Sequence, residues 1–286
     1  MDRDHTTGPE PRGGKSVERR RTADAAYHRA LGEGRSWSPH DQIGELAPLP
    51  AAMPHTHFDF VSREGRRFSV SLAAEPVFEL RRLQPIAGYV RTNAHPVSPG
   101  RGETRLRDHL SSAEDALRLE SMSFRRGIVM LQDSHAEMGV MPLSWRMAIS
   151  GAPFCALSSG LKAAFDAKTH VIAELFDIPA GVRRSSLRRV VSDIAERRRS
   201  VCARIPAESE ALDAVRDCGF RGMVMAPDAK TLKTEAGWQR FAALIEVAAR
   251  IAPTVIIDGA PPEQAEALTK AGATHAVFAK SAPRLI

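Results

Sequence analysis

Three acids and three arginines stand at or near the ends of short apolar runs. Glu174 and Asp177 close the run 170–177, and Asp258 closes 254–258. Arg91 ends the run 86–91, Arg204 sits near the end of 200–205, and Arg146 lies inside 142–149. Carboxylates that converge can hold hard divalent cations and activate water against an ester. Arginines that converge can pair with phosphate oxygens two at a time. The same six residues can also neutralise one another. Glu174 is read as an acid paired with Arg146 or Arg204, because an unpaired inward charge is costly. Asp258 before Gly259 can cap a turn, and Arg91 can serve as a surface salt-bridge partner.

Other constellations carry less. His55-Thr56-His57 has the His-x-His spacing of a zinc site, but such a site needs further ligands on later strand ends. His170 and His275 begin their runs instead of ending them. Ser158-Ser159-Gly160 lacks the Gly-x-Ser-x-Gly elbow of a serine hydrolase. The three cysteines, Cys155, Cys202 and Cys218, form no Cys-x-x-Cys pair and read as reduced core thiols of a cytoplasmic protein.

The elements that must place these groups follow from periodicity. From residue 168 onward, short β-branched runs at 170–177, 200–205, 222–225, 254–258 and 274–279 alternate with amphipathic stretches at 185–198, 208–218, 237–251 and 262–271. Strands buried on both faces and separated by helices predict a parallel sheet, whose chemistry lies at the C-terminal strand ends. Ser185 and Ser186 are expected as N-caps, and Pro262 suits a first helical turn. Upstream, 58–61 and 67–72 flank Ser62-Arg63-Glu64-Gly65-Arg66 as a hairpin, and the second run continues to Leu80. A helix is expected over 112–130, a strand over 142–149 and a short helix over 156–165. About eight strands and six or seven helices predict an α/β fold, a (β/α)8 TIM-like barrel.

Composition bounds the rest. The chain has 286 residues, 43% of them hydrophobic, and a net charge of +6. Residues 1–54 hold eight Lys/Arg, eight Asp/Glu, six Pro and six Gly, so this stretch is expected to be a disordered or weakly helical arm ahead of a barrel at 55–286. No apolar leader or membrane-length run is read in the sequence. The basic clusters 183–189 and 197–199 read as solvated outer-helix faces, and a nucleic-acid partner is not expected.

The order of the segments resembles the EAL domain, the barrel of cyclic di-GMP phosphodiesterases. Residues 74–80 and then Ile86-Ala87-Gly88-Tyr89 look like the family's "QPIVDL … GYEAL" opening. Residues 142–148 sit where "LSVNLS" stands, 170–177 look like "VLEITE", and 254–268 are similar to "VVAEGVETxEQxxxL". The resemblance implies an EAL-type barrel. In active members, acids and an asparagine on strand ends hold two metals, and a lysine helps activate water. Here the signature glutamate falls on Val90, the asparagine on Arg146, and the paired aspartates within 204–207. The lysine falls near Val224 or Met225, the second glutamate on Pro261, and the glutamine near Val277. Only Glu174, Asp177 and Asp258 remain. The expectation is a catalytically inactive EAL-like signalling protein, without cofactor or metal, acting through an unidentified protein partner. The alternatives are a cyclic di-GMP receptor whose Arg91, Arg146 and Arg204 bind phosphate without hydrolysis, a divergent phosphodiesterase, or a zinc hydrolase.

Overall fold

The computed structural model describes residues 54–97, 112–133, 138–150, 170–196, 200–228, 232 and 234–279. The arm expected before residue 54, the helix expected at 156–165 and the arginines at 197–199 lie outside them. Nine strands form one sheet: β1 (His55–Val61), β2 (Arg67–Glu79), β3 (Gln84–Pro96), β4 (Met138–Ser144), β5 (His170–Phe176), β6 (Ser200–Ile205), β7 (Gly222–Met225), β8 (Thr254–Ala260) and β9 (His275–Phe278). They pair in sequence order, and β2 also pairs with β9, so β2 to β9 close into an eight-stranded barrel. The helices are α1 (Ala113–Asp133), α2 (Trp145–Ile149), α3 (Arg184–Ala195), α4 (Ser209–Val215), α5 (Glu235–Ile251) and α6 (Ala265–Lys270). None of the described helices is long and apolar enough to cross a membrane.

One barrel strand runs against the others. β2 is antiparallel to both β3 and β9, whereas β3 through β9 are mutually parallel. The cause is chain length. Only residues 80–83 join β2 to β3, and a parallel crossover needs about a dozen residues. β1 stands outside the closed barrel as the first strand of a hairpin with β2. Its turn is the expected one. The Ser62 amide donates to the Arg66 carbonyl at 2.9 Å, the Arg66 amide donates to Ser62 Oγ at 3.1 Å, and Gly65 takes φ +81°. The turn is fastened to α1, because the Arg63 amide donates to the buried Asp115 carboxylate at 3.0 Å.

Two corrections concern helix starts. The strand expected over 142–149 ends at Ser144, and Trp145–Ile149 is helical. Ser144 Oγ accepts from the Met147 amide at 3.1 Å, which caps and starts the helix. Neither Ser185 nor Ser186 caps α3; Arg183 stands at the N-cap position with no side-chain cap bond. Thr234 caps α5 instead, accepting from the Gly237 amide at 3.1 Å.

The pleat sorts side chains into two cores. Outward residues such as Leu143, Leu175, Ala203, Met223, Met225, Val255 and Ile257 pack beneath the helices. Inward residues Val77, Tyr89, Val140, Cys202, Val224, Ile256 and Val277 fill the lumen. The barrel is therefore a packed layer with a polar mouth above it. His170 and His275 lie at the opposite end, on the first residues of their strands. Burial lowers both imidazoles below the ordinary histidine value, His275 to about 4, so both are neutral at pH 7.

α1 lies close on the sheet because two glycines let it. A Cβ on Gly139 would overlap the buried Leu131 side chain, and one on Gly127 would come within 2.7 Å of Met141 Cε. Overpacking of this kind costs about 1–3 kcal/mol. Gly139→Ala should lower the unfolding free energy by that amount, read as a lower urea midpoint at an unchanged m-value; a wild-type midpoint would show that the contact yields freely.

Candidate functional site

Each mouth residue stands two positions beyond a lumen residue on the same strand. Ile172 is followed by Glu174, Cys202 by Arg204, Ile256 by Asp258, and Ala87 by Tyr89 and Arg91. On β2, which runs the other way, Glu75 precedes Val77 and pairs in register with Tyr89. The two-residue period carries all six to the same end of the barrel, the C-terminal ends of the parallel strands.

There they form one hydrogen-bonded cluster. Arg204 Nε donates to Glu174 Oε1, and Arg204 Nη2 donates to Asp258 Oδ2 and, at 2.6 Å, to the Tyr89 hydroxyl. The Tyr89 hydroxyl donates to Glu174 Oε2. Arg91 grips Asp258 with both terminal nitrogens, Nη1 to Oδ2 at 3.0 Å and Nη2 to Oδ1, while its Nε donates to Glu75 Oε2 at 2.8 Å. Its guanidinium also lies over the Tyr89 ring, with Cζ 4.1 Å from the centroid. Glu174 is 1% exposed and Asp258 8%. Two guanidiniums against three carboxylates leave the cluster about one charge negative.

The electrostatics follow from the geometry. Burial by itself would raise the Asp258 carboxyl, but the hydrogen bonds and charge of Arg91, then of Arg204, hold it below the ordinary carboxylate range. Burial and then the Glu174 charge raise the Tyr89 phenol, which stays protonated as a donor. Burial works against the charge on both arginines, yet Asp258 chiefly for Arg91 and Glu174 chiefly for Arg204 keep them cationic. Below the cluster, burial and then Glu174 push the Cys202 thiol up to about 12, so it is inert packing.

Glu174, Asp258, Arg91 and Arg204 thus come together. Arg91 is no surface partner, and Asp258 does not cap a turn: Gly259, φ +83°, makes a bulge where the β8–β9 register shifts, and both Asp258 oxygens face arginines. Arg146 stands apart, exposed on α2, because the chain turns helical at Trp145. Asp177 is also apart, exposed one residue beyond β5 with φ +54°. Val90, the position matched to the signature glutamate, faces the outer core. His55 and His57 lie on β1 outside the barrel, their ring centroids 5.8 Å apart. Among the described residues no group of three or more His, Cys, Asp or Glu side chains is placed to hold a metal ion. Tyr89 and Glu75 are the members that motif matching missed. Counting in twos from Arg91, and then across the β2–β3 turn, finds both.

Removing Arg204 leaves Glu174 buried against a phenol with no cation, so Arg204→Ala should cost about 3–5 kcal/mol in urea unfolding. The pair Glu174→Leu with Arg204→Leu should recover most of that loss; equal losses for the single and double variants would refute the pairing. Asp258 has a folded value below its unfolded value of about 3.9, so its contribution is complete above that pH and is lost as pH falls through the folded value. Asp258→Asn should therefore flatten the fall of the urea midpoint below about pH 4.

No family model and no curated protein matches the chain. Solved structures do. An EAL domain protein from Listeria monocytogenes EGD-e matches with a TM-score of 0.54 at 10% identity, covering 72% of this chain and 84% of that one. The FimX EAL domain from Pseudomonas aeruginosa, bound to c-di-GMP, matches with 0.57 at 16%, covering 72% and 87%. The Bacillus subtilis YkuI protein, with an EAL domain and in complex with substrate c-di-GMP and calcium, matches with 0.56 at 9%, covering 71% and 52%. The fold of this chain is that of the EAL-domain barrels.

Proposed function

We propose that this protein is an EAL-type barrel without phosphodiesterase activity that works in bacterial signalling by contact with another protein. The observation that carries the reading is the Arg204 guanidinium, which bridges Glu174 and Asp258 at the barrel mouth. Two-metal hydrolysis needs several oxygen ligands open to cations, with the metals clamping the entering and leaving oxygens. Here both acids already hold a fixed organic cation, and a divalent ion would have to displace two arginines to reach them. The barrel then serves as a scaffold, and its binding work falls to its outer surfaces.

A second reading rests on Arg146 and on the neighbours' ligand. Arg146 is exposed on the helix that leaves the C-terminal end of β4, where a phosphate at the mouth could meet it. The FimX domains from Pseudomonas aeruginosa and Xanthomonas citri are complexes with c-di-GMP. Against this, Arg91 and Arg204 are already paired with carboxylates, and a mouth about one charge negative repels a dianion.

The test is incubation of the purified full chain with cyclic di-GMP and Mg²⁺ or Mn²⁺, together with calorimetric titration. No hydrolysis and no heat are expected. Turnover that disappears in Glu174→Ala would overturn the proposal. Heat at micromolar ligand that is abolished by Arg146→Ala would establish the receptor reading in its place.

A further inference from the structure

β1 ends the sheet. Among the described residues nothing pairs with its outer side. Which backbone groups face that side can be worked out from its other edge. The Ser62 amide donates to the Arg66 carbonyl, and the Ala74 amide donates to the Pro54 carbonyl at 3.0 Å. The β1–β2 register is regular between these points, so Thr56, Phe58 and Phe60 spend their amides and carbonyls on β2, the Pro54 carbonyl does the same, and Ser62 spends its groups on the turn. His55, His57, Asp59 and Val61 therefore turn theirs to the open edge. The side chains alternate in the same way: His55, His57, Asp59 and Val61 are exposed, while Phe58 and Phe60 are buried against α1. Such an edge is usually blunted by proline, charged side chains or a bulge; His55–Val61 holds neither proline nor bulge, and its one charged side chain is Asp59.

We propose that this edge pairs with the same edge of a second copy, antiparallel about a two-fold axis at Phe58. The sequence itself selects the partner and the register. With Phe58 opposite Phe58, His57 faces Asp59 of the other copy twice, and residues 55, 57, 59 and 61 face 61, 59, 57 and 55. Every open amide and carbonyl then meets a counterpart. Slipping two residues one way sets Asp59 against Asp59; the other way sets His57 against His57 and Asp59 against His55, but leaves Val61 beyond the end of the facing strand. A carboxylate facing an imidazole across a pair of strands can accept its hydrogen bond, and two facing carboxylates repel. Asp59 keeps its exposed ion pair with Arg67, 3.4 Å away, and has a second oxygen for the imidazole. One group opposes the pairing: the Arg126 guanidinium, 4.8 Å over Phe58 on the helix side, comes toward its own copy near the axis. A short strand pairing of this kind gives a weak dimer. The inference is independent of the chemistry at the barrel mouth.

Sedimentation velocity of the full chain from roughly 10 to 500 µM should show a concentration-dependent shift from monomer to dimer, the range for a small interface. His57→Pro removes only an outward amide, leaves the β1–β2 ladder whole, and should hold the protein monomeric with unchanged far-UV circular dichroism. His57→Asp should also dissociate it, and the exchange His57→Asp with Asp59→His should restore the dimer. A monomer at every concentration overturns the proposal, as does a dimer that survives His57→Pro. Failure of the exchange to rescue overturns the register.

Discussion

A single planar cation sets the terms for the barrel mouth. Arg204 reaches Glu174 on β5, Tyr89 on β3 and Asp258 on β8, so one side chain on β6 touches groups from three other strands. A lysine could not do this, since its ammonium is a point donor and the guanidinium is a rigid fork. Ion pairs this deep contribute little net stability, because desolvation offsets most of the attraction. They are sensitive instead to placement. A one-residue slip of β6 would drive Arg204 into the outer apolar core and leave Glu174 uncompensated. The cluster thus makes a single register of the parallel strands much better than its neighbours, and the lumen residues beneath it supply the burial.

Much of this was legible in the residue pattern, and the exceptions have physical reasons. The later strands stand out because they are buried on both faces and punctuated by helices, so β5 to β9 fall where the β-branched runs are. The hairpin is announced by Gly65. The β4–α2 boundary is obscured because Trp145-Arg146-Met147-Ala148-Ile149 continues the apolar run of β4 with only Arg146 polar; the Ser144 cap that resolves it is a hydrogen bond to the third residue on, invisible to periodicity. That boundary misplaced Arg146. The pairing of Glu174 with Arg204 follows from charge cost, but a surface place is expected for Arg91, and only its alternation with Ala87 and Tyr89 along β3 turns it to the mouth. Tyr89 and Glu75 lie inside the matched opening segments, but the motif gives neither of them a place at the site. They are members of the cluster only because β2 folds back on β3 within four residues and sets them side by side.

Likeness of fold and likeness of chemistry separate at this site. The barrel overlays on EAL domains at 16% identity or less in the comparisons above, which carries architecture and no residue roles. What the mouth can do is decided by its own groups. Carboxylates that converge on open space make a cation site, and carboxylates with guanidiniums between them make an ion-pair network. Here the guanidiniums stand between them, and a phenol occupies the remaining oxygen of Glu174. The lumen beneath holds the protonated Cys202 thiol among hydrocarbon side chains.

With the mouth turned to internal pairing, the outer surface carries the features that remain unspent. β2 and β3 each run 13 residues, far beyond what closure needs, since β9 meets β2 only at Phe78 and Glu79. Along the rest of that side β2 would present a bare edge, and β1 covers it from residue 67 to 73. Covering an edge with one strand does not abolish it; the open row of amides and carbonyls moves outward by one strand. Only closure or another strand ends the series. The barrel used closure for eight strands, and the sequence of the ninth, with an imidazole and a carboxylate on either side of Phe58, is suited to ending it with its own copy.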